Sequence, residues 1–177
     1  MAFLVAYYVP SCENTENAPD VSSFVEKTAV ELVAHRIASF TEGSLFRIEQ
    51  LEPYSDNYQQ CLEQALAHQK ADARPELKIL PRDLDDYDEI FIGFPSYGNT
   101  VPMAVLTFLE SFDFEDKTIL PFCIHEGDGM GHAQDDIMRV CPDAIHEEGI
   151  AIASNQASNC AIAIEGWLKR VIGPIIW

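Results

Sequence analysis

Short apolar segments alternate along this chain with segments in which apolar residues recur every three or four positions. The apolar segments cover residues 3–9, 45–48, 89–94, 118–124 and 149–153. The periodic segments between them predict amphipathic helices, each able to bury one face. Strands that are almost continuously apolar and alternate with helices are typical of a parallel sheet covered on both sides. We therefore predict an α/β fold with three layers and right-handed crossovers.

The length and the net charge of the chain limit the number of domains and the kinds of partner. With 177 residues the chain can fill one core, so we predict a single domain that spans residues 1–177. The 11 Lys and Arg residues against 29 Asp and Glu residues give a net charge of −18. Nucleic acids and anionic membranes need a basic surface, so this acidity argues against both as partners and favours a basic protein.

The apolar start of the chain and its cysteines indicate where in the cell the protein is expected. The first segment, MAFLVAYYVP, lacks a basic n-region and a small-residue cleavage site, so a buried strand fits it better than a signal peptide. The expected location is therefore the cytoplasm. The cysteines are odd in number and form no C-x-x-C pair, which predicts reduced, mostly buried thiols.

Three loops follow predicted strands at the edge where such sheets bind ligands. The loop after the third predicted strand reads PSYGNTVP over residues 95–102. The ring of Tyr97 can stack on a planar ligand with few rotatable bonds to fix. Gly98 and Asn99 tolerate positive φ and predict a tight turn, and Pro102 predicts a helix start. The alternative is an ordinary turn with a surface tyrosine.

The loop after the fourth predicted strand reads HEGDGMGH over residues 125–132. Its glycines would let the backbone approach a ligand closely and leave N–H groups free to donate. The pattern does not match the dinucleotide fingerprint G-x-G-x-x-G. A metal site built from His125, Glu126, Asp128 and His132 is an alternative, although their spacing matches no recognised zinc arrangement.

The loop after the first predicted strand leads to the amino end of a helix, where free N–H groups and the helix dipole favour a phosphate. Ser23 and Glu26 have the spacing of a capping box, which would satisfy these donors within the chain. Lys27 and Thr28 would still offer a cation and a hydroxyl to a phosphate group. Both interpretations stay open.

Across nearly its whole length, the sequence resembles the short flavodoxin-like proteins that carry FMN. The most specific segment is YDEIFIGFPSYGNTVPMAVLTFLESFDFEDKTILPFCIHEGDGMG, and the resemblance continues through CPDAIHEEGIAI. It implies a flavodoxin-like three-layer sandwich with a five-stranded parallel sheet in the order 2-1-3-4-5. It also implies FMN at the strand ends and a role in electron transfer.

The same resemblance implies which residues hold FMN. Those that match the family beside the isoalloxazine ring are Pro95, Tyr97 and Thr100 in the first loop, and His125, Gly127 and Gly129 in the second. We also assign to the FMN site the other residues of these loops: Ser96, Gly98, Asn99, Glu126 and Asp128. Beside the phosphate the resemblance implies Thr28. We add Ser11, as a substitute for the serine that relatives have at the position of Val9, and Lys27, as a cation for the phosphate. Relatives have one tryptophan where this chain has Tyr97 and a second where it has Gly98. They have a glycine and a serine where it has Glu126 and Asp128.

We therefore expect an acidic FMN protein that carries electrons between redox proteins, with a basic partner. In this interpretation Tyr97 stacks on the ring, and the turn of Gly98 and Asn99 offers a carbonyl to the proton of the reduced flavin. Nearby acidic residues would lower the flavin's potential. Two alternatives remain: a protein of this fold that has lost FMN and serves as a binding module, and an FMN-dependent NAD(P)H or quinone oxidoreductase. No catalytic side chain is assigned.

Overall fold

The structure, a computed structural model, describes residues 2–10 and 28–174. In these ranges parallel strands alternate with helices. The strands are β1 (Phe3–Tyr8), β2 (Ser44–Ile48), β3 (Glu89–Pro95), β4 (Thr118–His125), β5 (Ile145–His146) and β6 (Ile150–Ala153). The α-helices are α1 (Ala29–Thr41), α2 (Tyr58–Lys70), α3 (Met103–Glu110), α4 (Ala133–Val140) and α5 (Ala161–Val171), and a 3-10 helix (Ser154–Asn159) links β6 to α5. Each predicted apolar segment therefore forms a strand.

These strands form one sheet in the order β2-β1-β3-β4-β5, and β6 also pairs with β4. The pairs between them are parallel. This confirms the predicted order 2-1-3-4-5, but the fifth position is divided: β5 pairs with residues 118–119 and β6 with residues 122–125. The break lies beside Pro121, whose nitrogen has no hydrogen to donate to a neighbouring strand.

The helices cover both faces of the sheet. On one face Val5 and Tyr7 of β1 lie in a core with α1 and α5, where Trp167 is completely buried. On the other face Leu4 and Ala6 lie in a core with α3 and α4. Alternate residues of one strand thus enter both cores, which explains why the strands are almost continuously apolar. None of the helices in the described ranges is long and apolar enough to cross a membrane.

The cysteines match the expectation only in part. Cys123, Cys141 and Cys160 are free and buried. Cys61 is disulfide-bonded, so the expectation of reduced thiols is wrong for this residue. Cys12 lies outside the described residues. A count of cysteines and their spacing cannot show which distant thiols the fold brings within bonding distance.

Glu89, at the start of β3, has a buried carboxylate oxygen. Within the described ranges its Oε2 has no hydrogen-bond partner. Burial, with smaller contributions from the charges of Asp88 and Glu147, raises the pKa of Glu89. Because the folded state then binds this proton more tightly than the unfolded state, the contribution of Glu89 to stability is greatest at acid pH. It is lost as the pH rises through the folded-state pKa.

We expect Glu89→Gln to raise the melting temperature at neutral pH, and we expect this gain to shrink toward acid pH. Since the side chain is only partly buried, solvent screening keeps the gain below about 1 kcal/mol, or about 3 °C. Thermal unfolding followed across the acid and neutral range tests this. Glu115→Gln, at an exposed position, controls for the change in net charge, and equal gains from both variants would contradict the assignment to Glu89.

Candidate functional site

The turn between β3 and α3 matches the predicted tight turn. Tyr97 and Thr100 exchange two backbone hydrogen bonds, from Tyr97 N to Thr100 O at 3.1 Å and from Thr100 N to Tyr97 O at 3.0 Å. Gly98 and Asn99 lie between them with φ of 52° and 62°. Two successive left-handed residues form the kind of turn that a Gly-Asn pair favours. Pro102 directly precedes α3, as predicted.

The ring of Tyr97 is partly buried. It packs against a small apolar cluster of Tyr54, Cys61 and Ala65, in which the last two residues belong to α2. A ring that is already held by neighbours loses little conformational freedom when a planar ligand covers its remaining surface. The cluster therefore makes Tyr97 a rigid platform beside the strand ends.

The loop between β4 and α4 has an open backbone. His125 ends β4, and its ring Nδ1 accepts a hydrogen bond from the backbone N of Gly127 at 2.9 Å. Gly127 and Gly129 have positive φ, of 136° and 68°. A Cβ added at either glycine would meet no atom within 4 Å. A flat ligand can therefore approach this part of the backbone closely.

Ser96 connects this loop to the turn after β3. Its backbone N donates to the carbonyl of Ile124 at 2.9 Å. Its hydroxyl donates to Oδ2 of Asp128 at 3.2 Å. The two loops that were predicted to share one ligand are therefore bonded to each other at the carboxyl ends of β3 and β4.

A second set of bonds connects the same two loops farther along. The backbone N of His132 donates to the carbonyl of Asn99 at 2.6 Å. Gly131 allows this approach, since a Cβ at that position would lie within 3.0 Å of backbone atoms of Asn99. Thr100 as a residue is only 5% exposed, and its hydroxyl donates to the carboxylate of Asp136. This hydroxyl is thus used within the protein.

Both carbonyls of the tight turn already accept hydrogen bonds. The carbonyl of Gly98 accepts from the side-chain Nε2 of Gln69, at the end of α2, at 3.0 Å. The carbonyl of Asn99 accepts from the backbone of His132. A ligand that needs one of these carbonyls must therefore share its oxygen with an existing donor or displace that donor.

The amino end of α1 lies beyond β1, where the phosphate was predicted. Thr28 caps this helix, because its hydroxyl accepts a hydrogen bond from the backbone N of Glu31 at 3.2 Å. Ser11, Lys27 and the capping box of Ser23 and Glu26 lie outside the described residues. Of the phosphate-side residues, the structure therefore describes only Thr28.

Near that helix end, Glu31 makes contacts that the sequence did not suggest. Its carboxylate accepts a hydrogen bond from the hydroxyl of Tyr7 at 3.2 Å and lies 3.9 Å from the guanidinium of Arg47. Burial, with the charge and hydrogen bond of Glu31, raises the pKa of Tyr7 to about 12. Tyr7 therefore stays protonated at neutral pH and serves as a donor.

One cleft lies beside the ends of β1 and β2, and a second adjoins it in the segment after β2. The first, of about 280 Å³, is lined by the aromatic residues Tyr8 and Tyr54 and the amide of Gln50. The second, of about 360 Å³, shares Gln50 with the first and extends to His68. The hydroxyl of Tyr54 lies 2.8 Å from Nδ1 of His68. No local pattern in the sequence predicted these clefts.

Two further groups near the site could carry chemistry: the thiol of Cys123 and the predicted alternative of a metal site. Burial, with the nearby charge of Asp128, raises the pKa of the Cys123 thiol to about 12. A thiol with such a pKa is not a nucleophile at neutral pH. Within residues 2–10 and 28–174, no three His, Cys, Asp or Glu side chains group together as metal ligands. The described residues therefore give the metal alternative no support.

Sequence reasoning missed the residues that hold the two loops in place. Gln69 and Asp136 belong to helices, where their sequence neighbourhood is that of ordinary surface positions. Gly131 is one of the glycines expected to let the backbone approach a ligand, but its packing against Asn99 was not predicted. Their contacts join residues that are distant in sequence, so no local motif could have indicated them.

Comparison with known proteins places the chain in a family. The sequence model of a family described as flavodoxin matches residues 20–171, which is most of the chain. The match includes both loops that follow β3 and β4. No curated protein matched the chain.

Solved structures share this fold. A protein from Bacteroides eggerthii, provisionally described as a flavoprotein, is 22% identical with a TM-score of 0.75, over 97% of this chain and 98% of its own. A flavoprotein from Lactobacillus acidophilus in complex with FMN is 16% identical with a TM-score of 0.63, over 89% and 96%. An FMN-dependent NADH-azoreductase from Bacillus anthracis in complex with FMN is 10% identical with a TM-score of 0.53, over 98% and 100%. At such identities the likeness shows the fold alone.

Proposed function

The chain belongs to the flavodoxin family, and from that premise we propose that it binds FMN at the carboxyl ends of β3 and β4 and carries electrons between redox proteins. The observation that carries the proposal is the bonding of the two loops at this edge. Ser96 joins them, so that the platform of Tyr97 lies beside the open backbone of Gly127 and Gly129. An aromatic ring beside a backbone free of side chains suits a flat heterocycle.

Each part of the site has a role in this proposal. When bound, FMN supplies the one-electron chemistry, and the protein holds and tunes it. Tyr97 stacks on the ring, and the two glycines let the backbone approach the ring edge. Thr28 caps α1, and the N–H groups that stay free at the amino end of this helix would favour the phosphate. The charges of Glu126 and Asp128 disfavour added negative charge on the ring and so lower its potential.

We further propose that the redox partners are basic proteins. The net charge of −18 favours association with a positively charged surface. Added salt should then slow electron delivery from such a partner, because it screens charges that lie more than about 10 Å apart. A rate that does not depend on ionic strength would contradict this choice of partner.

Titration of the apoprotein with FMN tests the proposed function. We expect quenching of FMN fluorescence and a yellow complex, and we expect Tyr97→Leu to raise the Kd about tenfold because stacking is lost. Tyr97→Phe should bind nearly as well as the unchanged protein. Tyr58→Leu, at a tyrosine that is 48% exposed at the start of α2, is the control and should leave the Kd unchanged. No quenching by the unchanged protein at high concentration would contradict FMN binding.

Failure of that titration would favour the second candidate, a flavodoxin-fold protein that serves as a binding module. The observation that favours this candidate is the internal use of polar groups at the site. Thr100, Asn99 and Gly98 are all bonded within the protein, and Glu126 and Asp128 add negative charge. Such a site repels an anionic cofactor and offers a flavin no carbonyl in this turn that is free of an existing donor.

A third candidate is an FMN-dependent oxidoreductase that acts on a small molecule. The cleft of about 280 Å³ favours it, since Tyr54 lines that cleft and also packs against Tyr97. A substrate in the cleft would thus lie close to the proposed flavin. Steady oxidation of NADH or NADPH by a quinone, without any partner protein, would support this candidate over the electron carrier.

A further inference from the structure

We propose that Gln69 is a positioning residue that holds the carbonyl of Gly98 and competes with the flavin for it. The inference rests on the proposed function, because it concerns how the turn after β3 responds to a bound FMN. It adds a residue of α2 to the site, far from the two loops in sequence. Nothing in the pattern around Gln69 indicated such a role.

The two carbonyls of the turn differ in how easily they can change partner. The carbonyl of Asn99 accepts from the backbone of His132, and Gly131 lies so close that this part of the turn is fixed by main-chain packing. The carbonyl of Gly98 accepts from a side chain, Nε2 of Gln69 at 3.0 Å. A side chain can rotate away and bond to water, whereas a packed backbone cannot. The Gly98 carbonyl is therefore the exchangeable one.

The fit around Gly98 shows how tightly Gln69 holds the turn. Gly98 and Asn99 are exposed, but Gln69 is partly buried against the turn. A Cβ at Gly98 would lie within 3.0 Å of the side-chain Oε1 of Gln69. The substitution Gly98→Ala would therefore strain the turn and displace Gln69 at the same time. Changing Gln69 itself separates these two effects.

The exchange has a simple consequence for reduction. With FMN bound, reduction by one electron from the redox partner and one proton from solvent would place a new N–H on the flavin, and this N–H would need an acceptor. The carbonyl of Gly98 has two lone pairs, so it would either accept this N–H beside Gln69, as a weaker acceptor, or exchange Gln69 for it while Gln69 donates to water. In either case the new hydrogen bond would gain less than it would at an unoccupied carbonyl, so Gln69 would oppose the protonated, reduced form. Removing its donor should favour that form.

The test compares Gln69→Leu with the unchanged protein and with Gln59→Leu, a matched change on the same helix where the glutamine donates to the exposed Glu63. The first measurement, hydrogen exchange of the Thr100 amide in the apoprotein, reports on the turn without FMN. We expect exchange about three- to tenfold faster in Gln69→Leu, from the usual strength of one hydrogen bond. Gln59→Leu should show no change.

The second measurement is the potential of the first one-electron step with FMN bound. We expect a rise in Gln69→Leu equivalent to about three- to tenfold in the equilibrium constant, where tenfold is about 59 mV for one electron. A purely structural role would accelerate exchange and leave the potential unchanged, and that outcome overturns the inference. Unchanged exchange at Thr100 overturns it as well. If the unchanged protein binds no FMN, the proposed function fails first, and the inference falls with it.

Discussion

Replacement of Trp167 by alanine is expected to destabilise the protein by about 3 to 5 kcal/mol, as is usual for a large aromatic residue removed from a core. Trp167 is completely buried in the core between the sheet and α5. Its ring packs edge-on against Phe91 of β3 at a centroid distance of 5.7 Å. Its indole N donates to the carbonyl of Glu148 at 2.7 Å, so the variant also leaves that carbonyl without this donor.

Urea unfolding of the two proteins measures this loss directly. For a chain of this length the melting temperature should fall by about 6 °C or more. Ile162→Ala on the same helix is the control, because Ile162 is 86% exposed and should contribute little. Trp167→Phe should lie between the two, since it keeps an aromatic ring but loses the indole donor. A loss below about 1 kcal/mol in Trp167→Ala would contradict the packing described for this core.

Replacement of Gly131 by alanine is expected to separate the two loops of the site. A Cβ there would lie within 3.0 Å of backbone atoms of Asn99, and Gly131 also has a φ of 55°. Strain in the left-handed region and overpacking together should destabilise the protein by about 2 to 5 kcal/mol. Because Asn99 must move, Tyr97 moves with the turn, and we expect the Kd for FMN to rise about tenfold or more.

Gly173→Ala provides the matched control for that experiment. Gly173 has a φ of 85°, but a Cβ at this position would meet no atom within 4 Å. It lies after α5 and does not belong to either loop of the site. This variant should show only the strain of the left-handed conformation, about 1 to 2 kcal/mol, with an unchanged Kd. Equal effects of the two substitutions on FMN binding would show that contact with Asn99 does not hold the site together.

Much of the fold could be predicted because it depends on local periodicity. Strands buried on both faces must be apolar at every position, so β1, β3 and β4 were visible as runs of such residues. The order of the strands came from the resemblance to the flavodoxin-like proteins, and the structure confirms it. The division of the fifth position beside Pro121 was not foreseen, because it depends on how β4 pairs with its neighbours.

The candidate site shows the same division between local and distant effects. Gly98 and Asn99 form the expected turn, since their tolerance of positive φ is a property of each residue. The donors that occupy the carbonyls of this turn, Gln69 and His132, could not be predicted, because each comes from a segment distant in sequence. The roles of Ser11 and Lys27 stay predictions, since both residues lie outside the described ranges.

By itself, the sequence determined the layers, the strands and the tight turn after β3, since hydrophobic periodicity and backbone preference act within a few neighbouring residues. Only the tertiary structure decided that Gln69 holds Gly98, that Gly131 packs against Asn99, and that Cys61 is disulfide-bonded. Each of these contacts joins positions far apart in the chain. Such contacts form only when the sheet and its helices pack, and their geometry follows from that packing.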